Sequence, residues 1–330
     1  MTTQLSLITL NDVVMNEILG NLDFLDLQKL RRVFKFFTNF IDNVKSISPL
    51  KDVTISVLAG KMCMDYFTVD GMPMKVTYEQ SGAECLIKSK VEYDDEKLKI
   101  LKNSNFSKIF QKDLEITLRQ QKSPFRLIRL IKDQHSNFDN LLEIFPPKLQ
   151  VEEFHCHAKE NEREISKFLK ILDPKCIVSI SIYGCRGVSV ILNIDEISKM
   201  EQWKNSEQFS AWDMVLDVEL KKLAHFSLVE AKIGKIDGQE LIGLKEKLLY
   251  SKLFAIIALE YVNFTNQDNF LNFIGPSHQK PEESEKSWFF KMRIPESDDV
   301  LRISWNSLKY TLEFKRIRRF HVPEDVRIQN

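Results

Sequence analysis

Hydrophobic and polar positions change rhythm several times along the chain. From Leu5 to Ile41 apolar residues recur every three or four positions, with Gly20 the only glycine and no proline. That is the period of helices with one buried face. Asn11 or Asp12 can cap a first helix carrying Val14, Ile18, Leu19 and Leu22 on one side. Asp23 can cap a second, with Asp26 three residues on as a variant capping box. Leu27, Leu30 and Val33 continue an apolar stripe, and Phe34, Phe37, Phe40 and Ile41 supply a third. Three short helices of about forty residues cannot enclose a core unaided. Their apolar surface must meet either the rest of the chain or a partner's groove.

Alternation replaces this period between Val53 and Lys88. VTISVLA, CMDYFTV, MKVTYEQ and ECLIK read as four strands, with the sharpest turn signal at Asp70-Gly71-Met72-Pro73. Glu96 to Gln121 returns to helical spacing, with Leu98, Leu101, Ile109, Phe110, Leu114 and Leu118 available for one face. Cations outnumber acids between Lys88 and Lys132, which reads as a solvated basic face. Past Pro146-Pro147, strand-like segments begin near Val151 (VEEFHCHA), Ile177 (IVSISIYG), Phe209 (FSAWDMVL), Phe226 (FSLVEAKI) and Phe254 (FAIIALEYV). Helix-compatible sequence fills intervals such as Glu164 to Leu172 and Gly238 to Leu249. The spacings predict an irregular, leucine-rich-repeat-like parallel sheet with helices outside it, without the strict repeat signature. The chain then closes on an antiparallel meander: Phe290, Met292 and Ile294; Leu301, Ile303 and Trp305; Tyr310, Leu312 and Phe314. Ser277 to Lys286 reads as an exposed loop. The expected class is α/β (α+β overall), with a helical module at 1–45, a strand-rich segment plus helix at 46–145 and a repeat-like α/β domain at 146–330.

Composition narrows the function classes. The 330 residues are 43% hydrophobic and 28% charged, the balance of a folded chain. Lys+Arg and Asp+Glu are both 47, so no overall surplus of cations serves nucleic-acid backbone binding. No apolar run reaches the roughly 18 residues needed to cross a bilayer, and no cation precedes the first apolar stretch, which disfavours a cleaved secretory signal. Five widely spread cysteines suit reduced, mostly buried thiols. We therefore expect an intracellular protein, cytoplasmic or nuclear, that does not engage a membrane.

Catalytic and metal chemistry find little purchase. His155-Cys156-His157 is the only compact cluster of metal-type ligands, yet on a strand Cys156 points away from the two histidines, and no second His/Cys pair at zinc-finger spacing follows. Nucleophile elbow, phosphate loop, zinc-protease helix and dinucleotide fingerprint are missing. Gly184-Cys185-Arg186-Gly187 is a turn without the Lys-Ser/Thr that phosphate binding needs. The expectation is a non-enzyme with no catalytic residues, no metal and no cofactor. Lys315-Arg316-Ile317-Arg318-Arg319 fits a nuclear-import or phosphate-contact patch, and fits better a charged edge strand. Trp203, Trp212, Trp288 and Trp305 read as packing residues.

The N-terminal pattern resembles the F-box: Leu10, Val14, Ile18-Leu19, Leu22, Asp23, Leu27, Leu30, Arg31-Arg32-Val33, Phe37 and Ile41 match its ordered positions. Asn11 stands where that family usually has proline, a change that removes some backbone preorganisation. EQWKNSEQF (201–209), LIGLKEKLLYSKLF (241–254) and WFFKMRIPESDDVLRISW (288–305) look like the FTH domain that follows the F-box in a group of nematode proteins. The resemblance implies a substrate receptor of a cullin-RING ubiquitin ligase of the SCF type. Its F-box would bind a Skp-type adaptor through Leu10, Val14, Ile18, Leu19, Leu22, Leu27, Leu30 and Val33, partly as docking surface and partly as the small core behind it. Leu10, Ile18, Leu19 and Leu22 are expected to matter most. The C-terminal domain would hold an unnamed target protein. The alternative is an interaction module with no ligase role, its first helices capping the repeat-like sheet.

Overall fold

Strand formation after Leu50 follows the alternation in the sequence, and the computed structural model shows which partners each strand takes. It describes residues 11–20, 22, 27, 30, 35–43, 50–68, 71–91, 94–121, 123–133, 138–157, 162–184, 190–279 and 284–329. The chain divides into two units, residues 1–155 with 167–176, and residues 156–166 with 177–330.

In the first unit, β1 (Leu50–Leu58), β2 (Lys61–Thr68), β3 (Pro73–Ser81), β4 (Glu84–Val91) and β5 (Lys97–Lys102) run as an antiparallel meander. The first four are the strands that alternation predicts. The fifth corrects the expectation of a helix from Glu96. Leu98 and Ile100 alternate with lysines and lie half exposed or more on β5, and Asn103 turns the chain at a φ of 51°, a conformation asparagine tolerates better than most residues. The helix starts only at Phe106, where Asn105 Oδ1 accepts the Lys108 N–H at 3.1 Å and Gln80 Oε1 accepts that of Phe106 at 3.1 Å. Helix Phe106–Gln120 then buries Phe110, Leu114 and Leu118. Its Phe110 meets the Tyr78 ring edge-on at 5.4 Å, and Tyr78 donates to Asp113 at 2.8 Å.

A strand the alternation does not reveal, β6 (Phe125–Lys132), pairs in parallel with β1. Phe125, Leu127, Ile128 and Leu130 are buried on it, so both faces are apolar and the period-two signal is lost. Within the basic stretch, Arg126 Nε donates to buried Asp52 at 2.9 Å, while Lys90, Lys97, Lys99, Lys102, Lys108, Lys112 and Arg119 are exposed. The strand β7 (Val151–His157) follows a short helix, Asp139–Leu142. Phe138 and Phe145 each meet the Phe168 ring edge-on, at 5.3 and 5.7 Å, Phe168 belonging to helix Glu162–Ile171.

The second unit is built on a parallel ladder. The strands β8 (Ser179–Tyr183), β10 (Gln208–Trp212), β12 (Leu228–Asp237) and β13 (Ile256–Thr265) pair in that order. Short strands β9 (Ile191–Asn193) and β11 (Val215–Asp217) pair with each other, and β11 also with β12. On the other side of β13, β16 (Thr311–Arg318), β15 (Asp299–Asn306) and β14 (Glu285–Lys291) add antiparallel. The meander's first strand therefore starts earlier than the pattern suggests, inside the stretch read as a loop. Large residues fill one side: Trp203 packs on Phe209 and Phe226 at 4.7 and 4.9 Å. Helix Gly238–Leu249 lies against β12 and packs on helix Gln267–Ile274. A Cβ on Gly238 would overlap the Asn266 carbonyl, so only glycine permits this approach.

The basic run Lys315–Arg319 corrects a second expectation. The strand β16 lies between β13 and β15 and is no edge. Arg316 Nε donates to Asp299 at 2.7 Å and Arg316 Nη1 to the Lys252 carbonyl at 2.7 Å. Burial alone would push the Asp299 carboxyl up, but hydrogen bonds from Arg316 and Ser297 and the charge of Arg318 outweigh it and hold the group below its ordinary 3.8. A carboxyl depressed by folding stabilises the fold above its unfolded pKa and loses that contribution as pH falls through the folded value. Asp299→Asn is expected to lower stability at neutral pH and to flatten its fall below about pH 4. Denaturant titrations at pH 7, 4 and 2.5 check this; parallel curves for the two proteins would contradict it.

Candidate functional site

Two surfaces carry what chemistry the chain offers. The first is the helical stretch. Asn11, in the position where the F-box pattern has proline, accepts the Val14 N–H on its Oδ1 at 2.9 Å and opens helix Asp12–Gly20. It supplies by side-chain capping what a proline supplies by fixed φ. Among the described residues, Met15, Leu19, Leu27, Phe37 and Ile41 form a buried cluster, with Leu22, Leu30 and Phe40 half-buried against it. Helix Lys35–Asn43 brings in Phe37 and Ile41 and leaves Phe36 exposed, stacked on Phe40 at 6.1 Å.

The residues that the F-box resemblance assigns to adaptor docking therefore divide. Leu19 and Leu27 lie in the cluster at 2% exposure each, so neither is turned to solvent. Ile18, Leu22 and Leu30 are half-buried and Val14 is exposed. Leu10 and Val33 lie outside the described residues, as does the Asp23 cap. Val13, 76% exposed beside Val14, is an outward apolar residue the pattern does not single out. Its neighbour Val14 carries the i, i+4 stripe, and Val13 falls one position off it.

The second surface is the open face of the second unit's sheet. Side chains alternate between faces along a strand. Val229, Ala231 and Ile233, then Ile257, Leu259 and Tyr261, then Leu312 and Phe314 are buried, which sends the residues between them to the other side. Register aligns those into rows. One runs Ser210, Glu230, Ala258, Glu313, Ser304 and Ser287 across six strands. The next carries Lys232, Glu260, Thr311, Asn306 and Glu285. Small Ala258 and Ser304 set a low floor, and longer neighbours rise around it. The result is a groove of about 670 Å3 with Trp212 on its rim. Trp212 is 44% exposed, unlike Trp203, Trp288 and Trp305, which are at most 5% exposed; it corrects the reading of all four tryptophans as packing residues.

Charge in the groove is lopsided. Asp213, Glu230, Glu260, Glu285 and Glu313 line it with only Lys232 and Arg302 as cations. Arg302 donates to Glu313 at 2.6 Å, and Lys232 lies 3.9 Å from Glu260. The side chains of Glu230 and Glu285 make no hydrogen bond or ion pair among the described residues. Sequence alone cannot collect these side chains, because the pairing of five strands far apart in the chain assembles them.

The histidine cluster behaves as its strand position requires. Cys156 is buried, His155 lies 3.2 Å from Arg129 Nη2, and His157 stacks on Tyr183 at 5.1 Å. Among the described residues no group of three or more His, Cys, Asp or Glu side chains is placed to hold a metal ion. Gly184 donates to the Trp212 carbonyl at 2.7 Å, and residues 185–187 of the glycine-flanked turn lie outside the described residues. Among those described, no helix is long and apolar enough to cross a membrane.

Residues 132–277 match the family model of the FTH domain. The match spans β7 to β13 and helices Gly238–Leu249 and Gln267–Ile274, so it contains the parallel ladder. The segment 288–305, expected to carry the same likeness, lies beyond it. No curated protein and no solved structure matches the chain.

Burial sets the expected response of the helical stretch to substitution. Leu19→Ala should cost roughly 2–5 kcal/mol and speed hydrogen exchange throughout helix Asp12–Gly20, whereas exposed Val13→Ser should change stability by less than about 0.5 kcal/mol. Equal exchange in the two variants would contradict the assignment of Leu19 to the cluster.

Proposed function

We propose that this chain is the substrate-recognition adaptor of an SCF-type cullin-RING ubiquitin ligase. The N-terminal helices bind the Skp-type adaptor, and the C-terminal domain holds the protein to be modified. The observation that carries this reading is order along the chain: an F-box-like pattern precedes a segment that matches the FTH domain family model at residues 132–277. The helical stretch supports it with a small cluster of its own and with Val13, Val14 and Phe36 turned outward. Apolar side chains presented on short helices suit helix-in-groove binding, where a few anchors dominate the energy.

No chemistry is required of the chain in this role. Holding a target beside the ligase raises its effective concentration at the site of transfer. Catalytic residues and cofactors have no part in the proposal, and the adaptor would be reached through protein contacts alone. A capping role for the helices is less well supported, because the buried members of their cluster among the described residues come from residues 15–41.

Charge on the half-buried rim tests the docking role. Ile18→Asp or Leu22→Asp in the full-length chain is expected to abolish co-purification of the Skp-type adaptor while the thermal unfolding of the C-terminal domain is unchanged. Undiminished co-purification would remove the ligase reading. Deletion of residues 1–45 separates the alternatives: a cap leaves the remainder aggregated, a docking module leaves it dispersed.

A further inference from the structure

The groove on the sheet's open face has chemistry more specific than a general protein-binding surface. Its carboxylates exceed its cations, and both cations already pair with a carboxylate on the neighbouring strand. Glu230 rises from the floor between Ser210 and Ala258, half-buried and without a partner among the described residues. Glu285, likewise unpartnered, lies at the groove's β14 side. An uncompensated carboxylate in a concave, partly desolvated site favours a cation more strongly than one in open water. Trp212 adds an exposed indole at the opposite rim, a surface suited to the aliphatic stem and charged head of lysine or arginine. The same charge repels phosphate, so nucleic acid and phosphopeptide do not fit it.

We infer that this groove binds a lysine- or arginine-bearing segment of the target protein, with the basic side chain seated on Glu230. The segment lies across the floor of small residues and its aliphatic or cationic portion packs on Trp212. The inference rests on the reading of the C-terminal domain as the target-holding part, but not on the ligase role. The Lys232–Glu260 and Arg302–Glu313 pairs flank the seat and engage the two cations that line the groove. A neutral or acidic segment would leave Glu230 uncompensated on binding, which is the basis for discrimination.

Selection of random twelve-residue peptides displayed on phage, using the immobilised full-length protein, tests this without a known target. Peptides enriched for lysine or arginine are expected, and fluorescence anisotropy of those peptides should weaken by about tenfold on Glu230→Lys. Glu230→Gln, which keeps the shape and removes the charge, and Trp212→Ala should each weaken it less. Glu324→Lys, on an exposed turn outside the groove, makes the same change in net charge and should leave affinity unaltered. Enriched peptides without basic residues, equal weakening by Glu324→Lys, binding that survives Glu230→Lys, or no peptide dependent on the groove would each overturn the inference. Adaptor co-purification measured on the same Glu230→Lys protein keeps the two readings apart. Its absence from the unmodified protein counts against the ligase role alone, and its persistence in the variant shows that the chain is intact.

Discussion

The second unit depends on one constraint: alternation forces each strand of its sheet to divide its side chains between a covered face and an open one. Register then makes that division coherent across strands. Ile257 pairs with Val229 on one side and Phe314 on the other, and all three are buried. Their neighbours Glu230, Ala258 and Glu313 are aligned just as strictly on the opposite face. A slip of one residue in β12 or β13 would carry carboxylates under the helices and apolar side chains into the groove. The chemistry of the open face is thus a by-product of core packing on the other. Buried Phe, Ile and Leu hold the register, each contributing roughly 1.5–3 kcal/mol of burial, and the acidic residues follow.

The helical stretch obeys a different economy of surface. Among the described residues, five buried side chains are few for a core, and Ile18, Leu22, Leu30 and Phe40 remain half-buried with Val13, Val14 and Phe36 exposed. Such a cluster fixes the relative placement of short helices without consuming all their apolar area. Asn11 illustrates how the local sequence adapts: a side-chain cap at the first turn replaces the backbone restriction of proline. The difference from the F-box pattern at this position is thus compensated within one turn of helix.

Much of this was legible in the sequence where a single period dominates. The strands β1 to β4 and β12, with helix Gly238–Leu249, follow directly from apolar spacing, because apolar residues recur along each at a single period. Legibility fails where that asymmetry is absent or overridden. Apolar on both faces, β6 shows no alternation. The short strand β5 mixes leucine and isoleucine with lysine at spacings a helix also accepts, and only the turn at Asn103 decides between them. The run Lys315–Arg319 reads as an edge because its cations look unpartnered in one dimension; pairing between β13 and β15 supplies Asp299 and the Lys252 carbonyl. Leu19 and Ile18 occupy adjacent positions in the F-box-like pattern, and only the packing shows that Leu19 is the one turned inward. The groove was least legible of all, since Trp212, Glu230 and Glu285 come from three strands whose adjacency no local pattern encodes.

A division of labour between helical stretch and sheet face is the central claim, and affinity purification of the unmodified full-length chain at native expression, read by quantitative mass spectrometry, tests it most directly. The account predicts that a Skp-type adaptor and a cullin are recovered in amounts comparable to the chain itself. Recovery of the chain in good yield without either would contradict it.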